Sequence, residues 1–191
     1  MNTPPTTSVS FDLDRGETLL WSGAPEQGIV FRGSDILFIP FSLLWGGFAL
    51  FWEFGVITSG APASMALFGV PIVLVGLYIT AGRFFVDARM RRRTMYGVTT
   101  ERILIAEGIF STRLKSLNLA TLSDVTLHQR ADGTGTITFG PQIPWARMYD
   151  GFSWPGVPRI TAFDRIAEAK RVNDIIRDAQ RSLRATPPRT A

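Results

Sequence analysis

From residue 36 to residue 86 the chain reads ILFIPFSLLWGGFALFWEFGVI (36–57), TSGAPASM (58–65) and ALFGVPIVLVGLYITAGRFFV (66–86). Glu53 is the sole charge in the first apolar run and Arg83 the sole charge in the second. At the helical rise these runs are about 33 Å and about 31 Å long. A bilayer's hydrocarbon core is about 30 Å thick, so each is long enough to cross it. The short uncharged linker turns the pair into a transmembrane hairpin spanning residues 35–86. Glu53 and Arg83 stand close to the ends of their runs, where each is expected to reach interfacial water. Gly69 and Gly76, seven apart on one helix face, are the candidate helix-packing positions, facing the first helix or another copy.

The flanks set the orientation. Arg32 precedes the first run, Arg83, Arg89, Arg91, Arg92 and Arg93 lie at and beyond the end of the second, and the linker has no Lys or Arg. The positive-inside rule then puts both termini in the cytoplasm, and the expected location is the cell inner (cytoplasmic) membrane. Charge is divided the same way. Residues 1–82 carry two arginines against six acids, so the formal net charge of +4 comes wholly from the second half. Such asymmetry points to an anionic membrane surface as partner, with no nucleic acid expected.

The residue inventory argues against an enzyme. There is no cysteine and one histidine, His128. That removes disulfides and thiol nucleophiles, and it leaves too few ligands for a thiolate or histidine metal cluster. No Ser or Thr sits in a nucleophile-elbow sequence, and the glycine-rich stretch from Gly133 to Gly140 lacks the lysine of a phosphate-binding loop. No catalytic residue, metal or cofactor is expected. The first 35 residues are largely polar, so no secretory signal is expected either.

Around the hairpin, residues 1–10 are polar and Pro/Thr-rich and read as disordered. Residues 11–34 form a lead-in with a short strand at 18–22. Beyond the hairpin, residues 87–184 change period. Strands are expected at 95–99, 102–106, 109–119, 124–130, 136–139 and 159–163, with a hairpin turn at Ala131-Asp-Gly-Thr-Gly135. Residues 140–158 are a Pro/Gly/Trp-rich excursion. A helix over about 165–183 follows, with Asp164 as N-cap and Ile166, Ala169, Val172, Ile176, Ala179 and Leu183 as its apolar face. Residues 185–191 form a disordered tail. The fold class is thus a two-helix transmembrane hairpin plus an α+β domain, an antiparallel barrel or sandwich of about five to seven strands with a C-terminal capping helix.

Two sets of residues carry a resemblance. Downstream stand Tyr96-x-Val98-Thr99-x-x-Arg102-Ile103-Leu104-Ile105, Gly108, Ser116-Leu117-x-Leu119, Val125 and Gly133-x-Gly135-Thr136-Ile137. Upstream stand Gly16-Glu17-x-x-Leu20-Trp21-Ser22-Gly23-x-Pro25, and Arg83-Phe84-Phe85 closes the second apolar run. In this order they resemble the bacterial membrane-flanked PH-like (pleckstrin-homology-like) domain family, over roughly residues 11–183. The resemblance implies a PH-like fold, a membrane location and no catalytic residues. Arg83…Arg91-x-Arg93 imitates the spacing of a phosphoinositide motif, but these residues leave a spanning helix rather than line a strand hairpin.

The expected function is a non-enzymatic membrane-anchored module that docks a protein or an anionic lipid headgroup at the cytoplasmic face. Its candidate contacts are Arg89, Arg91, Arg92, Arg93, Arg113 and Lys115. Each cation near an anionic phospholipid surface contributes about 1 kcal/mol of attraction, although a basic run after a span also serves as a topology signal. The third strand, with Arg113 and Lys115 beside apolar residues, is the edge on which a partner strand would add. The alternative is an accessory subunit of a membrane transport or envelope-maintenance complex, with the hairpin as contact surface for a membrane protein or for a second copy.

Overall fold

The computed structural model describes residues 11–33, 35–108, 112–140 and 161–185 of the 191. The chain divides into two compact units. The first holds seven strands and a C-terminal helix. The second is a helical hairpin.

Strands β1 (Leu19–Gly23), β2 (Met95–Thr99), β3 (Arg102–Glu107) and β4 (Arg113–Asn118) form one antiparallel sheet in that order. Strands β5 (Val125–Gln129), β6 (Gly135–Phe139) and β7 (Ala162–Ile166) form a second antiparallel sheet. Among the described residues the sheets are not closed into a barrel by strand pairing. At one corner the Glu26 N–H donates to Arg165 O at 2.9 Å, and the Trp21 ring lies 5.6 Å from that of Phe163. Alternation explains the core: Tyr96 and Val98, Ile103 and Ile105, and Ile137 and Phe139 point inward from their strands and are buried. Phe163 is fully buried at the centre, its ring 4.6 Å from Tyr96 and 5.0 Å from Phe139.

The C-terminal helix has an apolar stripe of Ala169, Val172, Ile176 and Ala179, all buried in that core. It covers the end left open between the sheets, and Gln180 Nε2 donates to Leu119 O and Leu122 O at 3.2 and 3.0 Å. It begins at Ala169, later than the sequence suggests. Asp164 is therefore not its N-cap, and Ile166 belongs to β7. Arg165 and Glu168 adopt positive φ, 45° and 51°, which ends the strand and turns the chain into the helix.

β1 is the other departure. It is a full member of the first sheet, with Gly23 opposite Tyr96, rather than part of a lead-in outside the domain. A clamp holds the segment before it. Arg102 donates from Nε and Nη2 to Glu17 at 2.9 and 2.8 Å, Thr99 Oγ1 donates to Glu17 Oε1, and Arg102 Nη2 reaches Asp12 O at 3.1 Å. These bonds, the one from Arg102 foremost, hold the Glu17 carboxyl down to about 2 from its ordinary 4.5. Because the folded value lies below the unfolded one, the stabilisation is complete above about pH 4.5 and lost as pH falls towards 2. Its size is about 2 kcal/mol, allowing for the exposure of Arg102 to water. Hydrogen-exchange protection of the β2–β3 amides is expected to fall across that window in the native chain. In Glu17→Gln it is expected to be lower at neutral pH and flat over the same range.

The second unit contains α1 (Asp35–Thr58) and α2 (Ala63–Leu77), which continues through a π-helical turn (Tyr78–Gly82) into α3 (Arg83–Arg92). Both long runs, Asp35–Thr58 and Ala63–Arg92, are long and apolar enough to cross a membrane. Their large side chains face outward, with Ile36, Leu44 and Phe51 82%, 75% and 74% exposed. The small residues face inward. A Cβ on Gly76 would stand 3.2 Å from Gly46 Cα, so the two backbones meet there. Thr80 Oγ1, 2.8 Å from Gly76 O and 3.1 Å from Ser42 O, supports the same crossing.

Candidate functional site

The sheet register shows how the two units are connected. The chain leaves the first sheet at Gly23 and re-enters it at Met95, and Gly23 pairs with Tyr96 on the neighbouring strand. The whole hairpin is an insertion in the β1–β2 connection. The strands that flank it, β1 and β2, are paired neighbours in the sheet, and the segments that follow the one and precede the other form a neck.

Arg91 stitches this neck. It is 2% exposed, its Nη2 donates to Asp164 Oδ2 at 2.7 Å and its Nη1 to Glu26 O at 3.3 Å. Gln27 Nε2 donates back to Arg91 O at 3.2 Å, and Arg165 Nη1 pairs with Glu26 Oε2 at 3.1 Å. Asp164 is held in turn. Its N–H donates to the Tyr96 hydroxyl at 3.2 Å, and Thr136 Oγ1 lies 3.3 Å from its Oδ1. Burial lowers the Arg165 guanidinium from its ordinary value, and the bond to Glu26 opposes that.

The basic run is therefore divided by helix phase. Arg89, Arg92 and Arg93 are exposed, whereas Arg91 points into the neck and is removed from the set open to a headgroup. Arg113 is exposed on β4, and Lys115 is half-buried and paired with Glu107 at 2.6 Å. β4 has β3 as its neighbour in the sheet and lies at its edge, with Leu114 48% exposed between the two cations. Gly69 and Gly76 lie against the first helix of their own hairpin. The excursion at residues 141–158 and the tip of the β3–β4 loop lie outside the described residues.

The base of the hairpin holds a second set of charges, and one residue departs from the sequence reading. Arg83 is 4% exposed rather than reaching water, and its Nη2 pairs with Asp35 Oδ1 at 2.9 Å. Its guanidinium lies 4.5 Å from the Phe84 ring centroid. The Arg32 N–H donates to Asp35 Oδ2 at 2.7 Å, and its side chain stands 3.7 Å from Asp87. Two acids and two arginines thus neutralise one another at the end of the hairpin where a lone buried charge would be costly. Asp35 before the first run and Arg83 near the end of the second stand at the same end of a hairpin, so the sequence held the signal for this pair. Nothing in the order of residues marked Arg91 and Asp164.

Among the described residues no group of three His, Cys, Asp or Glu side chains could hold a metal ion. The sheets, the capping helix and the neck define a PH-like domain with a helical hairpin inserted in its first strand connection. The model of the bacterial PH domain family matches residues 42–180, and the chain belongs to that family. No curated protein and no solved structure matches it. PH-like domains are generally non-catalytic binding modules.

Proposed function

We propose that this chain is a non-enzymatic, membrane-anchored PH-like module whose exposed basic neck docks anionic lipid headgroups at the cytoplasmic face. The observation that carries the reading is the insertion itself. Two apolar helices are inserted between the paired strands β1 and β2, and the exposed Arg89, Arg92 and Arg93 stand where the second of them ends. A hairpin in the cytoplasmic membrane, with both termini inside, brings these cations to the negative inner leaflet. Anchoring and headgroup contact then act together, since the anchor raises the local concentration of whatever lies at that surface.

A second reading, docking of a protein strand, is favoured by one feature, the edge position of β4 among the described residues, with Arg113 and Leu114 exposed. The same chain would then be an accessory subunit, adding a partner's strand to its sheet.

The two are separated by liposome sedimentation. The form tested joins residues 11–28 to residues 89–185 and so lacks the hairpin. It is expected to bind phosphatidylglycerol vesicles, to release them as salt rises, and to ignore neutral vesicles. Replacing Arg89, Arg92 and Arg93 by Gln is expected to weaken binding by about a hundredfold, at roughly 1 kcal/mol for each charge. Salt-independent binding, or none, rules out the headgroup reading.

A further inference from the structure

Five charged residues lie between Ile29 and Ala88, and none of them is exposed. Arg32, Asp35, Arg83 and Asp87 are gathered at the base of the hairpin in the pairs already described. Apolar side chains of that end face outward instead. Ile29, Phe31 and Phe85 are each more than half exposed, and the Phe31 ring stands 5.5 Å from that of Phe84, level with α3. Glu53 is half-buried near the linker end, next to Trp52 and level with Gly69.

Length decides how such a hairpin sits. From Ala63 to Arg89, the first exposed charge of the second helical run, is about 39 Å at the helical rise. The hydrocarbon core is about 30 Å thick, and a tilt of about 20° takes up only about 2 Å, so an excess must fall at one end. If the core stops at Arg83, Glu53 stands about 9 Å inside the linker-side boundary. If it runs from Gly69 to Arg89, again about 30 Å, Trp52 and Glu53 meet the linker-side interface, where an indole and a carboxylate both belong. The four base charges are then immersed. Ionisable side chains within a membrane are tolerated when they face inward and pair with one another, as these do. The excess falls at the linker end, where Thr58, Ser59 and Ser64 are exposed.

We propose that the hairpin sits in this deeper register and that Ile29, Phe31 and Phe85 form a collar seated among the acyl chains of the cytoplasmic leaflet. The collar is continuous with the apolar band of the two helices, so the same lipid occupies it. Arg89 marks the edge of the hydrocarbon. The headgroup layer is about 5–8 Å deep on each side. Arg92 lies about 4–5 Å beyond Arg89 along α3 and so within that layer. With the edge at Arg83 it would stand about 14 Å out, clear of the headgroups. The collar thus brings the basic run to the lipid phosphates.

The placement rests on the membrane reading, and the chain's lack of cysteine lets one preparation test the two apart. Leu74→Cys, Phe31→Cys, Phe85→Cys and Arg130→Cys each carry a nitroxide in the full-length chain, in phosphatidylglycerol liposomes. The four native side chains are exposed, which spares the core. Leu74 lies within the hydrocarbon in either register and Arg130 on the β unit, so they serve as lipid and water references. Labels at 31 and 85 are expected to match Leu74→Cys, open to dissolved oxygen and closed to a water-soluble nickel chelate. Nickel access at 31 or 85 equal to that of Arg130→Cys, with Leu74→Cys closed to it, overturns the collar and leaves the hairpin in the membrane. Labels at 31 and 85 closed to both reagents have protein rather than lipid over them, which overturns it too. Nickel access at Leu74→Cys overturns the membrane reading itself, and the collar with it.

Discussion

Joining residues 11–28 to residues 89–185 through a short glycine-serine linker is expected to yield a soluble domain that melts cooperatively, whereas a chain that starts at Met95 is expected not to fold. The difference is β1. Without it the first sheet loses its ladder to β2, and Phe163 loses the ring of Trp21 at 5.6 Å. Trp21 is partly buried, and removing a fully buried aromatic costs about 3–5 kcal/mol, so its loss alone costs about 2 kcal/mol. A domain of this size has about 5–15 kcal/mol in all, so losing the strand as well exceeds what it can spare. The spliced chain keeps both strands. Its new junction is short because Gln27 already bonds to the Arg91 carbonyl at 3.2 Å. Circular dichroism and thermal melting of the two forms give the answer.

Arg91→Ala is expected to destabilise that domain by about 3 kcal/mol, measured by urea denaturation. The side chain is buried and its bond to Asp164 is 2.7 Å long, so truncation leaves a carboxylate facing a gap. Arg89→Ala and Arg92→Ala are expected to change stability by less than about 0.5 kcal/mol, because both side chains are exposed. Pairing Arg91→Met with Asp164→Leu is expected to recover most of the loss, since apolar groups of similar volume replace a buried ion pair well. Equal effects at all three arginines would show that helix phase does not divide the run.

Much of this architecture is legible in the order of residues because it rests on local periods. The two apolar runs declare themselves by length, and β2, β3, β5 and β6 by alternation and by the Asp132-Gly133 turn. Boundaries set by distant contacts are not legible. Asp164 followed by an amphipathic run reads as a helix cap, yet it lies in β7, paired with β6 and bonded to Arg91. The local signal was outweighed by a partner far away in the chain. The strand at 18–22 was legible, but its place beside β2 was not, since the hairpin separates the two in the chain. The candidate site was half legible. Composition marked the basic run, but the direction of each side chain follows from where the helix ends against the sheet. Glu53 was visible as a charge in an apolar run, and the seating of its Oε2 against Gly69 of the facing helix was not.

The chain has no cysteine, which allows the most direct test of a β unit held at the inner face by an inserted hairpin. Ser59→Cys places a thiol in the α1–α2 linker, and Arg130→Cys places one on the β unit, at an exposed residue after β5. With a membrane-impermeant maleimide on intact cells, Ser59→Cys is expected to be labelled at once and Arg130→Cys only after permeabilisation. Labelling of Arg130→Cys from outside, with Ser59→Cys protected, would contradict the account.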